Sequence, residues 1–70
     1  MLVKINDCKE RCACYADAAT GLIEHEWKKV KTRTLIPIGG EYWIERDVTV
    51  TILRRVSTER FEITSYLIAA

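Results

Sequence analysis

Cys12-Ala-Cys-Tyr-Ala-Asp-Ala-Ala-Thr-Gly-Leu-Ile-Glu-His-Glu-Trp27 admits two conformations, and each implies a different fold class. Read as a hairpin, its turn is Asp17-Ala-Ala-Thr-Gly21. The Asp17 carboxylate bonds the backbone ahead of it, and Gly21 supplies the positive φ that closes a four- or five-residue loop. Residues 12–16 and 22–27 are then strands. Read as a helix near residues 8–19, Asp7 and Glu10 form a capping box, Cys8, Cys12, Tyr15, Ala16 and Ala19 share a face, and Gly21 ends it. The hairpin makes the chain mainly β; the helix makes it α+β. We take the hairpin as the expectation and the helix as its alternative.

The segments on either side follow strand parity, because alternate side chains of a strand lie on opposite faces. Residues 1–5 are rich in apolar and β-branched side chains and end at Asn6-Asp7, which favours a turn. Ile23, His25 and Trp27 share one face, with Glu24, Glu26 and Lys28 on the other. Beyond them Val30, Thr32, Thr34, Ile36 and Ile38 are the less polar set, and Lys29, Lys31 and Arg33 oppose them. One strand cannot keep both apolar sets inward, so a β-bulge or short turn is predicted at Lys28-Lys29. A helix over Leu22–Lys31 competes, with Leu22, Ile23, Glu26, Trp27 and Val30 on one side.

Pro37 and Gly39-Gly40 break the run. Tyr42, Ile44, Val48, Val50 and Ile52 share a parity and predict one long strand, bent near Arg46-Asp47, with Trp43 and Leu53 on its polar face. Ser57-Thr-Glu59 turns it into a hairpin with residues 60–68, where Phe61, Ile63, Ser65 and Leu67 face inward. The expected architecture is a single small domain over residues 1–70, an antiparallel meander or partly closed barrel of about five strands.

With 70 residues, 49% hydrophobic and 30% charged, the chain has the composition of a globular domain. A domain this small buries only roughly 60% of its unfolded surface, so a metal, disulfides or a partner commonly supplements the core. The apolar start is broken at Lys4, and no run approaches the roughly 18 residues of a membrane span. This points to the cytosol and away from membranes. An odd number of cysteines, three, in a reducing compartment argues against a disulfide framework.

Cys8, Cys12, Cys14 and His25 are residue types that zinc takes, but the Cys-x-x-x-Cys-x-Cys spacing with a distant His differs from the paired knuckles of structural sites. They read as core residues, and no metal or cofactor is expected. A cysteine nucleophile with His25 as base lacks an elbow or oxyanion loop, and Gly39-Gly40 lacks the Lys-Ser/Thr of a phosphate loop, so no enzyme is expected.

The net charge is +1, yet Lys28, Lys29, Lys31 and Arg33 fall together without an intervening anion. On a strand, Lys29, Lys31 and Arg33 stand about 7 Å apart, which beside Trp27 suits single-stranded nucleic acid. The same charges also keep an exposed strand soluble. Two Trp and three Tyr exceed what so small a core buries, and Trp43, Tyr42 and Leu53 are the candidate interface. The leading expectation is a non-enzymatic interaction protein, homo-oligomeric or docked on a protein partner. Its size suits the inhibitors and adaptors of host proteins that phages and mobile elements encode. A nucleic-acid-binding barrel is the alternative.

Overall fold

The computed structural model describes residues 1–68, and among them seven strands form two antiparallel sheets. The first sheet is β1 (Val3–Asn6), β2 (Cys12–Asp17), β3 (Leu22–Trp27) and β4 (Val30–Leu35), in that order. The second is β5 (Glu41–Arg46), β6 (Thr49–Arg55) and β7 (Phe61–Leu67). Within each sheet every strand pairs with its neighbour in the chain, so both sheets are meanders. The helices considered over residues 8–19 and Leu22–Lys31 do not form, and among the described residues no helix is long and apolar enough to cross a membrane.

The deciding stretch is a hairpin because its turn satisfies its own backbone. The Gly21 N–H donates to the Asp17 carbonyl at 2.8 Å, Asp17 Oδ1 accepts from the Ala19 N–H at 3.1 Å, and Gly21 sits at φ +81°. The predicted break at Lys28-Lys29 is a two-residue turn with φ +50° and +68°, placing Trp27 directly opposite Val30. Two successive left-handed residues match the right-handed twist of the flanking strands. The apolar phase is thereby restored: the face of Ile23, His25 and Trp27 continues as Thr34, Thr32 and Val30 on β4. A bulge does occur, but on β2. Ile5 faces Cys14 and Asn6 faces Cys12, leaving Ala13 as the extra residue.

The long strand expected across Tyr42–Ile52 is two strands. Asp47, at φ +54°, and Val48 form a turn that sets Arg46 opposite Thr49, so inward parity passes from even to odd residues. Tyr42, Ile44 and Arg46 then share a face with Leu53, Thr51 and Thr49. Val48, Val50 and Ile52 leave the inward set.

The core joins Cys14, Ala16 and Ile23 of the first sheet to Ile44 and Leu53 of the second, with Ile36 from the crossover and Ile5, Tyr42 and Phe61 packed around them. Few large side chains are involved, and two arginines fasten the sheets at opposite ends of β6. At one end the buried Arg55 donates from Nε to the Ala18 carbonyl at 2.9 Å, from Nη2 to Ala19 at 3.0 Å and from Nη1 to Ile36 at 3.1 Å. At the other, Arg11 donates from Nε to Asp7 Oδ2 at 3.0 Å and from Nη1 to Asp47 Oδ2 at 2.9 Å, tying the β1–β2 turn to the β5–β6 turn.

Burial opposes ionisation of Asp7 and is the largest single influence on it. The backbone N–H groups of Arg11 and Lys9, with the Arg11 guanidinium, outweigh it and hold the carboxyl below its ordinary value. The hydrogen bond from Arg11 lowers Asp47 likewise. Carboxyls depressed in the folded state stabilise above their unfolded pKa and lose that contribution as pH falls through the folded value. The urea midpoint is therefore expected to hold down to about pH 4 and decline below it. Arg11→Met should remove the part of that decline due to Asp47 and to the guanidinium's share of Asp7, while the backbone N–H bonds to Asp7 retain the rest. A midpoint unchanged between neutral and strongly acidic pH would contradict this assignment.

Candidate interaction surface

The residues singled out as an interface separate in the structure. Trp43 points outward from β5, 55% exposed, its Nε1 donating to Glu41 Oε1 at 3.4 Å. Tyr42 is its neighbour on the inward face, half-buried and edge-on to His25 with ring centroids 6.4 Å apart. Leu53 is paired with Tyr42 and is completely buried at the centre of the core. The expectation that Leu53 accompanies Trp43 is thus corrected: the Asp47-Val48 turn reverses the phase and carries Leu53 inside.

What does accompany Trp43 is the outer face of the second sheet. Cross-strand pairing aligns Trp43 with Ile52 and Thr64 in one row, and Glu45 with Val50 and Tyr66 in the next. Val50 is buried without belonging to the core cluster, and Tyr66 is exposed, so the face is an apolar plate with aromatic side chains standing on it. A row of Glu41, Arg54 and Glu62 borders it, and Glu45 lies at its other end. Three carboxylates against one guanidinium leave the rim acidic. Ile52 and Val50 escape a parity reading because Asp47-Val48 does not announce itself as a turn, although Arg46 intrudes on an otherwise apolar set; Tyr66 already falls opposite the inward set of the last strand.

The basic residues form no continuous row. Lys28 and Lys29 occupy the turn, while Lys31 and Arg33 lie on β4 directly opposite Glu26 and Glu24. Arg33 Nη2 and Glu24 Oε2 are 2.7 Å apart, so that cation is already matched. Trp27, half-exposed on the other face, has Lys28 Nζ at 5.8 Å and Arg46 Cζ at 5.1 Å from its ring centroid.

Of the three cysteines and His25, Cys8 lies apart, whereas Cys12, Cys14 and His25 border one cleft. Cys8 lies exposed in the β1–β2 turn, its backbone N–H donating to Ser65 Oγ at 2.8 Å. Cys12 and Cys14 border a cleft of about 350 Å³, open because the β2–β3 ladder ends at Tyr15 and Glu24; His25, Glu26 and Lys31 line its other wall. Among the described residues no group of three or more His, Cys, Asp or Glu is placed to hold a metal ion. Burial, with the nearby Cys12 adding to it, pushes the Cys14 thiol up to about 12, so it is protonated at neutral pH and unsuited to nucleophilic attack. A thiol-specific disulfide reagent should modify Cys8 quickly, Cys12 slowly and Cys14 only after denaturation. Equal rates at all three would contradict this placement.

Comparison with protein-family models, with curated proteins and with solved structures finds no match to this chain.

Proposed function

We propose that this protein is a non-enzymatic interaction module of the cytosol that holds a protein partner on the outer face of its three-stranded sheet. One observation carries the reading. Trp43, the largest side chain of β5, is more than half exposed on the outer face of the sheet, beside an apolar base of Ile52 and the buried Val50, with Tyr66 exposed on the far strand. Aromatic side chains on an apolar base are the usual anchors of protein recognition, and a rigid sheet presents them with little loss of conformational freedom. The acidic rim selects the partner's chemistry: an apolar patch bordered by Lys and Arg. Binding of this kind would serve a small inhibitor or adaptor of a host protein.

Trp43→Ala tests the reading, with Trp27→Ala as the control on another surface. A partner captured by the wild type and identified by mass should bind the Trp43 variant more weakly by about 2 kcal/mol, or roughly 30-fold. It should bind the Trp27 variant normally. Equal affinity for wild type and Trp43→Ala removes the proposal.

A second reading, binding of single-stranded nucleic acid, has one observation in its favour: two cations, Lys28 and Arg46, lie close to the Trp27 ring. The carboxylates facing Lys31 and Arg33 weigh against it. Binding of a labelled oligothymidylate that falls steeply with salt, and that Lys28→Ala with Lys29→Ala abolishes, would favour this reading. No binding at low salt would end it.

A further inference from the structure

The four sheet edges are not equally protected. β1 has only four residues and carries Lys4; β4 carries Lys31 and Arg33; β5 carries Glu41, Glu45 and Arg46. Short edges and charged edges resist pairing with another chain. β7, Phe61-Glu-Ile-Thr-Ser-Tyr-Leu67, is seven residues long with one charge and neither Pro, Gly nor Lys. Among the described residues it pairs with β6 alone, and Ile63, Tyr66 and Leu67 are exposed along it.

We infer that two copies of this chain join through β7, antiparallel and related by a two-fold axis at Thr64, into a continuous six-stranded sheet. A strand meeting itself across a two-fold perpendicular to the sheet keeps inner face against inner face and outer against outer, and the axis at the midpoint pairs all seven residues. In that register Phe61 meets Leu67, Ile63 meets Ser65, Glu62 meets Tyr66 and Thr64 meets its own copy. No charge faces a like charge, because the lone Glu62 is opposed by an aromatic ring. Aromatic–aliphatic and Thr–Thr pairs are among the favourable cross-strand combinations.

Along residues 61–63 of β7 the inner side is open to the second copy, whereas at Ser65 the β1–β2 turn approaches, the Cys8 N–H donating to Ser65 Oγ. Beside β7 an apolar groove of about 220 Å³, bordered by Val3, Ile5, Phe61 and Ile63, shows that β1 does not cover this edge. The β7 edge adjoins the Trp43 plate and shares Tyr66 with it, while Trp43 itself lies on β5 at the far side of the sheet, and the inference goes beyond the binding role proposed above. A two-fold perpendicular to the sheet sets both Trp43 plates on the same side, so the dimer would offer a doubled docking face.

Light scattering at graded concentrations tests the pairing. The wild type should show twice the mass of one chain, and Thr64→Glu, which sets two carboxylates against each other on the axis, should return it to the monomer mass with its β circular dichroism intact. Thr64→Ser should stay dimeric, and Trp43→Ala should leave the mass unchanged, which separates this result from the partner-binding test. In a Cys8→Ser background, Thr64→Cys should form an interchain disulfide on mild oxidation, giving a second measurement if Thr64→Glu does not fold. A wild type that is monomeric at hundreds of micromolar, a dimer that Thr64→Glu leaves intact, or no crosslink through position 64 overturns the inference.

Discussion

Arg55→Leu is expected to remove most of the stability of this domain. The guanidinium is buried and is held by three backbone carbonyls, those of Ala18, Ala19 and Ile36. It therefore joins the β2–β3 loop and the crossover after β4 to the end of β6. Leucine fills part of the volume but leaves those carbonyls without their donors. Hydrogen bonds to a charged group contribute about 1.5–3 kcal/mol each, and the substitution should cost about 3–5 kcal/mol in total, since the loop relaxes and water reaches part of the site. A chain of this length is stable by roughly 4–10 kcal/mol. In urea the midpoint should fall by about 2–4 M. Arg55→Lys should recover little, because one ammonium cannot reproduce a planar fork spanning three acceptors. A midpoint within experimental error of the wild type would show that Arg55 does not fasten the sheets.

Gly21→Ala is the second large effect, and it strikes the same place. Gly21 closes the β2–β3 turn at φ +81°, where a Cβ is itself strained by about 1–2 kcal/mol. A Cβ there would also run into the Ile36 carbonyl oxygen and approach Arg55 Nη1 to 2.8 Å. The carbonyl cannot retreat easily: Ile36 receives that guanidinium, and its own N–H donates to the Gly21 carbonyl at 3.0 Å. Strain and overpacking together should cost about 3–5 kcal/mol, read as a lowered midpoint. The double variant Gly21→Ala with Arg55→Leu should lose less than the two single losses combined, because both break one joint. Additive losses would mean that the two residues act on separate parts of the fold.

The elements that could be read from the sequence are those whose determinants are local. Asp17 and Gly21 close their loop through bonds within the loop, and Lys28-Lys29 betrays its turn by the phase error it corrects. The last strand shows an inward set, Phe61, Ile63, Ser65 and Leu67, that pairing with β6 reproduces. Asp47-Val48 was hidden because Val48, Val50 and Ile52 continue the parity of Tyr42 and Ile44, while the true inward residues of β6 include two threonines. Those threonines are tolerated inside because each hydroxyl is bonded, Thr49 Oγ1 to the Arg46 carbonyl at 2.7 Å and Thr51 Oγ1 with Ser65 Oγ at 3.0 Å. Such partners belong to tertiary structure, as do the Arg55 acceptors 36 and 37 residues away in the β2–β3 loop. Of the candidate interface, only Trp43 was placed correctly at the surface. Its companions became visible once the extra turn had set the register.

The claim that a partner sits on the Trp43 plate is tested most directly by crosslinking from two positions. A photoreactive residue replacing Glu45 lies at the end of that plate, and one replacing Lys4 lies on the first sheet, on the face opposite its core. A crosslinked protein is expected from position 45 that is absent from position 4 and is lost when Trp43→Ala is added. The same crosslink from both positions, or one that persists without Trp43, would contradict it.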